Sequence, residues 1–442
     1  MSISQSNNRQ KLGLWMLTAL VAGNMVGSGV FLLPASLASY GSIGLLAWAF
    51  TSVGALLLAL VFAKLGSIMP RIGGPYAYCR EGFGEFVGFQ MAYNYWIALW
   101  VGNAAIAVAF TGYLSVFIHS LSGNPVLSCI SSITIVWLMT LVNIFGVRRA
   151  GFVQLVTTIL KLLPLILLAT IGLLFIKPHN LAQFNVTGTS NFSALTAAAT
   201  LTLWSFIGLE SATVPADDVE NPQRNIPRAT IYGTLITSLI YILSSLAVMG
   251  MVPLAQLAHS TAPYADAAKI MFGPIGSLVI ATGAVISTFG ALNGWTLLQG
   301  QVPLAAARDG IFPRVFAKTS AQGTPVWGLV ISSILITLLL LLTLNQSLVK
   351  QFTFIILLAT LASLIPYLFT AMAELIIFIR ERERFNGKRL LGSSIIAILA
   401  GVYAFWTILG SGEDTVFYGT LLLFSSVPVY VWMKWRSSVA KN

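Results

Sequence analysis

Charge is what this chain of 442 residues has least of: Asp, Glu, Lys and Arg together make up 8% of it. A soluble domain carries roughly a quarter of its residues as charges, so a water-facing globular fold is excluded. Histidine and cysteine are scarcer still, with three and two copies. Cys79 and Cys129 lie far apart without metal-ligand spacing, which excludes a disulfide framework and a metal site. His119, His179 and His259 fall near the ends of apolar runs and read as solvated. No H-E-x-x-H, nucleophile elbow or carboxylate pair with histidine occurs, so the chain is not expected to be an enzyme or to need a cofactor. The Gly-rich stretch 70–84 lacks the strand and the G-K-[ST] of a phosphate loop, and no nucleotide role follows.

What is present is apolar: 57% of the residues are hydrophobic. At about 20 residues per span, the runs fit an all-α polytopic membrane protein of twelve helices. They fall near 12–38, 42–68, 84–118, 125–145, 150–176, 193–216, 229–254, 272–307, 326–344, 351–378, 391–410 and 417–434. The first run follows a polar stretch and is long enough to span, so no cleavable signal peptide is expected. The net charge of +11 would suit nucleic acid, but its distribution does not. Lys and Arg gather in every second loop: Arg9 and Lys11; Arg71 and Arg80; Arg148 and Arg149; Arg224 and Arg228; Arg308, Arg314 and Lys318; Arg380 to Arg389; Lys434 to Lys441. The loops between hold little more than Lys177, Lys269 and Lys350. That is the positive-inside pattern, which puts both termini in the cytoplasm. The partners expected are a lipid bilayer and a small molecule, and no nucleic acid.

Two of the apolar runs carry breakers at mid-span. The first reads G-N-M-V-G-S-G-V-F over 23–31, then Pro34. A helix broken there frees N–H and C=O groups that hydrocarbon cannot satisfy. A bound polar ligand can, and the N-terminus of the second half-helix suits a carboxylate. The other reading is close helix packing through Gly23 and Gly27. The sixth run repeats the pattern: Thr202 to Pro215 contains Gly208, with Glu210 beside it. A carboxylate in a span needs a cationic partner or a proton. Two broken helices five positions apart fit an inverted repeat of five plus five helices.

Other polar groups stand out against the apolar background. Asn103, on one helix face with Trp96 and Trp100, needs a partner, either a neighbouring helix or a ligand. Lys161 would lie roughly 16 Å along its helix from Ala150. It could snorkel, carry a proton, or stand as a fixed cation where a sodium ion might otherwise bind. Thr360 and Ser363 sit in an apolar setting in the tenth run, and the last two runs read as scaffold or dimer surface.

Several stretches together carry a resemblance: A-G-N-M-V-G-S-G-V-F-L-L-P-A (22–35), Y-W-I-A-L-W-V-G-N (95–103), L-W-S-F-I-G-L-E-S-A (203–212), E-N-P-Q-R-N-I-P (220–227), N-G-W-T-L-L (293–298) and D-G-I-F-P (309–313). In this order they resemble the amino acid–polyamine–organocation superfamily, and within it the bacterial basic amino acid/polyamine antiporters, most like those that exchange arginine and agmatine. The resemblance implies a LeuT-like fold: a first repeat over 12–177, an inverted repeat over 193–379, and two scaffold helices over 390–434. It implies that Gly27, Ser28 and Gly29 hold a substrate carboxylate, and that the carbonyls of Met25, Trp204 and Ile207 hold the ammonium. Ala98 and Asn103 would line the distal end, and Trp295 would stack on a cationic side chain. Tyr95, Trp204, Glu210 and Trp295 would gate the site, with Glu210 the pH-sensitive group. A homodimer in the bacterial inner membrane follows from the same likeness.

The expected function is therefore alternating-access exchange of a cationic amino acid for its decarboxylated amine or another amino acid. Three residues depart from the arginine-exchanging pattern: Ala359 replaces a serine, Leu99 replaces a cysteine, and Lys161 resembles a fifth-helix lysine of proton-coupled relatives. They leave open a proton-coupled symporter of small neutral amino acids, with Lys161 and Glu210 as the coupling groups. A channel would need rings of charge or carbonyl filters, and neither is visible.

Overall fold

A computed structural model of the chain describes residues 12–69, 74–145, 161–213, 219–320, 323–380 and 387–439. Among these residues ten helices are long and apolar enough to cross a membrane, and two shorter apolar helices, Lys161–Phe175 and Val326–Leu342, add to them. The chain is an all-helical polytopic membrane protein. In order, its helices are α1 (Leu14–Met25), α2 (Ser28–Ala38), α3 (Ile43–Ile68), α4 (Pro75–Phe83), α5 (Glu85–Leu114), α6 (Pro125–Phe145), α7 (Lys161–Phe175), α8 (Asn191–Leu203), α9 (Pro222–Met251), α10 (Pro263–Arg308), α11 (Val326–Leu342), α12 (Leu348–Arg380), α13 (Gly387–Leu409), α14 (Glu413–Phe424) and α15 (Ser426–Val439).

The layering follows from which helices are apolar on every side. The central helix is α5, whose most apolar stretch is 89% buried, and it packs against α10 and α12. The interrupted pair α1–α2 is 78% buried, with α9 packed along α1. At the edge lies Glu413–Arg436, only 6% buried, its Leu421, Phe424 and Trp435 exposed. A helix bearing such residues on an uncovered face belongs in lipid.

Three expectations from the sequence need correction, each involving a proline or glycine. The seventh run was expected to begin at 229, but Pro222 already opens α9. Proline suits the first helical position because its missing N–H would be unsatisfied there anyway. Pro75 starts α4 in the same way, within the Gly-rich stretch 70–84 where no helix was expected. The eighth run begins not at 272 but at Pro263, and turns at Gly273 (φ 68°) before crossing. The start of the fifth run, Pro215, and the basic residues Arg9, Lys11, Arg71, Arg148, Arg149, Arg382, Arg384 and Lys441 lie outside the described residues.

Three of the described basic loop residues, Arg80, Arg380 and Lys434, have acidic partners at one end of the bundle. Arg80 stands 3.8 Å from Asp309 and Arg380 3.5 Å from Glu81. Lys434 stands 2.9 Å from Glu85, and Tyr76 donates a hydrogen bond to Asp309 (3.1 Å). These links tie α4 and the start of α5 to the ends of α10, α12 and α15. Exposed pairs of this kind each contribute little energy.

The two interrupted segments touch at Gly208. Gly208 has φ 109°, and a Cβ built on it would come within 3.2–3.3 Å of Asn24. Both the left-handed backbone and the contact require glycine. Gly208→Ala is expected to destabilise the protein by about 1–3 kcal/mol, read as a lower thermal midpoint in detergent. An unchanged midpoint would show that the two segments are not locked at this point.

Candidate functional site

The first crossing segment stops being helical at Val26 and Gly27 and resumes at Ser28. Gly27 takes the N-cap position of α2 but has no side chain with which to cap it. The first N–H groups of α2 therefore have no intrahelical partner, and the positive end of its dipole lies at the break. Ser28 is 1% exposed, and its Oγ has no hydrogen-bond partner. The second interruption lies opposite. α8 ends at Leu203, passes through a short 3-10 turn over Trp204–Phe206, opens at Ile207 and Gly208, and continues as a 3-10 turn over Leu209–Thr213. Gly29 lets the two approach: a Cβ on it would sit 2.9 Å from Trp204 Cδ1 and nearer still to Ser205 Oγ.

Between the breaks lies a cavity. Of the residues expected at the site, Met25, Gly27, Ser28, Gly29, Tyr95, Ala98, Trp204, Ile207 and Trp295 line it. Its wall contains no charged side chain. Three lining hydroxyls, those of Ser28, Ser205 and Ser363, are buried without partners. Buried polar atoms left in this state cost free energy unless a ligand or water meets them. The Trp204 carbonyl already accepts from the Ile207 N–H at 3.2 Å, which leaves it one lone pair.

The remaining expected residues lie behind the wall. Asn103 does not line the cavity; its Nδ2 donates to Gln299 Oε1 at 2.6 Å, and its Oδ1 has no partner. The neighbouring-helix alternative thus accounts for its amide nitrogen. Glu210 is fully buried and accepts three hydrogen bonds: from Tyr95 (2.5 Å) on Oε1, and from Tyr367 (2.5 Å) and the Gly208 N–H (3.1 Å) on Oε2. No ion pair among the described residues includes it. The carboxylate thus joins α5, the second break and α12 behind Tyr95. Lys161 is 1% exposed and donates to the Gly23 carbonyl in α1. A buried ammonium here cannot be snorkelling, and it stands at the negative end of the α1 dipole.

Sequence reasoning missed part of the wall. Asn24, Ser205 and Ser363 line the cavity, and Tyr367 completes the Glu210 cluster. Ala359, read as the tenth-helix contact, is buried but does not line the cavity; Ser363, one turn along α12, does. Leu99, the other departure, does line it. Asn24 was legible in its motif, whereas Tyr367 carried no signal beyond its place after Pro366.

Comparison with known proteins points the same way. The amino acid permease family profile matches residues 12–430. The chain is 34% identical over 431 residues to the putrescine transporter PotE of Escherichia coli, covering 97% of each chain. It is 33% identical over 445 residues to the putrescine transporter PotE of Haemophilus influenzae, covering 99% of this chain and all of that one. It is 34% identical over 418 residues to the cadaverine/lysine antiporter of Escherichia coli, covering 92% and 91%.

The Glu210 cluster yields a direct test. Glu210→Gln keeps the size but introduces an N–H₂ where Tyr95, or Tyr367 and Gly208, donate. The variant is expected to flatten the pH dependence of substrate binding, followed by tryptophan fluorescence across the acidic range. A profile that follows the wild type would remove Glu210 from any proton-sensing role.

Proposed function

The chain belongs to the amino acid permease family, and from that premise we propose that it is an antiporter exchanging a cationic amino acid of the lysine/ornithine type for a diamine. The observation that carries this is the cavity between the two breaks. Its carboxylate end consists of the α2 N-terminus and the unpartnered Ser28 hydroxyl. Its remaining wall is uncharged, with Trp204 and Trp295 presenting aromatic surface and Met25 and Ile207 lying at the breaks. An ammonium group suits carbonyl oxygens and ring faces. A diamine places ammonium groups at both ends, and without a lining cation nothing repels it. Relatives named for putrescine transport and for cadaverine/lysine exchange support the same substrate class.

The site roles expected from the sequence enter this proposal with two changes. Gly27, Ser28 and Gly29 hold the carboxylate, and Tyr95, Trp204, Trp295 and Glu210 gate the cavity. Tyr367 joins the gate, and Asn103 acts behind the wall rather than on it. The twelve-span, five-plus-five architecture is part of the proposal, with repeats over 12–177 and 193–379 and scaffold helices over 390–434. It is supported by the ten long and two shorter apolar helices and by breaks in the first and sixth segments. An inner-membrane location with both termini cytoplasmic is supported by the charge pattern of the loops and by Arg80, Arg380 and Lys434 meeting at one end of the bundle. A homodimer through the least buried helices, 413–436, completes it.

A second reading, proton-coupled uptake of small neutral amino acids, is favoured by one observation: the buried Lys161 ammonium on the Gly23 carbonyl. Counterflow separates the two. Proteoliposomes loaded with unlabelled lysine, ornithine or arginine are expected to take up labelled cadaverine or putrescine saturably, with no pH gradient, and empty liposomes are not. Gradient-driven uptake of neutral amino acids into empty liposomes, lost in Lys161→Gln, would replace the antiporter by the symporter.

A further inference from the structure

A second pocket lies near the end of the bundle, away from the cavity between the breaks. It is lined by Leu60, Ala63, Lys64 and Ser67 of α3, Pro227 and Ile231 of α9, Glu374 of α12, and Ser393 and Ile396 of α13. Glu374 is the unusual member: a carboxylate 1% exposed whose Oε2 has no hydrogen-bond partner. A buried carboxylate oxygen without a donor is costly, and an intramembrane acid is a functional site by default. Lys64 is the other charge in the wall, its ammonium 5.7 Å over the Phe378 ring. None of the three helix segments contributing these charges and Pro227 ends far away. At 1.5 Å per residue Lys64 lies about 6 Å from the end of α3, Glu374 about 9 Å from the end of α12, and Pro227 about 8 Å from the start of α9. That is the depth at which head groups meet acyl chains.

We propose that this pocket holds the head group of an ethanolamine phospholipid, its primary ammonium donating to Glu374 and its phosphate accepting from Lys64. The pairing of charges selects a zwitterion. A free diamine would bring a second positive charge toward Lys64 and would gain nothing from Leu60, Ile231 and Ile396. Around the pocket, Ile379, Leu391 and Ile395 are 72%, 65% and 50% exposed, so the surface it opens on is apolar and faces lipid. A lysine ammonium has three donors, so Lys64 can serve a phosphate while keeping other partners. A choline head group carries no N–H and cannot satisfy Glu374, so the pocket discriminates between the two commonest zwitterionic lipids.

Native mass spectrometry of the purified full chain, with palmitoyl-oleoyl phosphatidylethanolamine, phosphatidylcholine and phosphatidylglycerol at equal concentration, tests this. Ethanolamine adducts are expected to exceed choline adducts by about ten-fold, the worth of one charge-assisted hydrogen bond. Glu374→Gln should remove that preference, and Lys64→Met should weaken ethanolamine and glycerol lipids together. Equal retention of ethanolamine and choline lipids by the wild type would overturn the proposal, as would an undiminished preference in Glu374→Gln. Displacement of the ethanolamine lipid by free cadaverine would also overturn it, in favour of a water-accessible ammonium site. Should Glu374→Gln fail to fold, the wild type alone decides: stepwise N-methylation of the ethanolamine must lower retention, and a flat series contradicts the assignment.

Discussion

A backbone that stops being helical in the middle of a membrane must find new partners for its N–H and C=O groups, because hydrocarbon supplies none. This constraint organises the molecule. The chain breaks at Val26–Gly27 and again at Ile207–Gly208, and the other central features serve those breaks. Lys161 attends the Gly23 carbonyl on one side of the first break. Tyr241 donates to the Ser205 carbonyl at the second (3.1 Å), and Tyr113 to the Phe31 carbonyl in α2 (2.7 Å). The N-terminal end of α2 and three buried hydroxyls are left for what enters the cavity.

Charge is placed by the same economy. The cavity wall carries none, while the two buried ionisable groups around it, Glu210 and Lys161, lie behind the wall on hydrogen bonds. A charged wall would hold one substrate tightly and repel its exchange partner. A wall of carbonyls, hydroxyls and indoles accepts both an amino acid and a diamine, whose net charges differ. The Tyr95–Glu210–Tyr367 cluster joins α5 and α12 through the second break, so movement of that break must disturb three hydrogen bonds together. This is the basis for the gating role proposed above for Glu210, which has no ion-pair partner among the described residues.

Much of this was legible because glycine in an apolar run has few explanations. The motif 23–31 and the Gly208–Glu210 pair marked the two helix breaks in the sequence itself. What stayed hidden arises from convergence across the fold. Tyr367 reaches Glu210 over 157 positions of sequence, and no local pattern announces such a contact. Ser363 rather than position 359 faces the cavity because of how α12 is rotated against α5, which helical spacing cannot give. For Asn103 the sequence left a neighbouring helix and a ligand both open, with the ligand role implied only by the resemblance, and Gln299 on α10 accepts from its amide nitrogen. The helices that open at Pro222 and Pro263 were expected to begin only at 229 and 272, because apolar runs mark the membrane spans and not the more polar turns that precede them.

The most direct test separates the carboxylate end of the cavity from the rest of it. Binding of lysine and of cadaverine, which differ by that carboxylate, is measured calorimetrically to the wild type and to Ser28→Ala. If the α2 N-terminus and Ser28 hold the carboxylate, lysine binding should weaken by about ten-fold, as expected for one hydrogen bond to a charged group, and cadaverine binding should stay unchanged. Equal weakening of both ligands, or of neither, would contradict the assignment of this break as the carboxylate site.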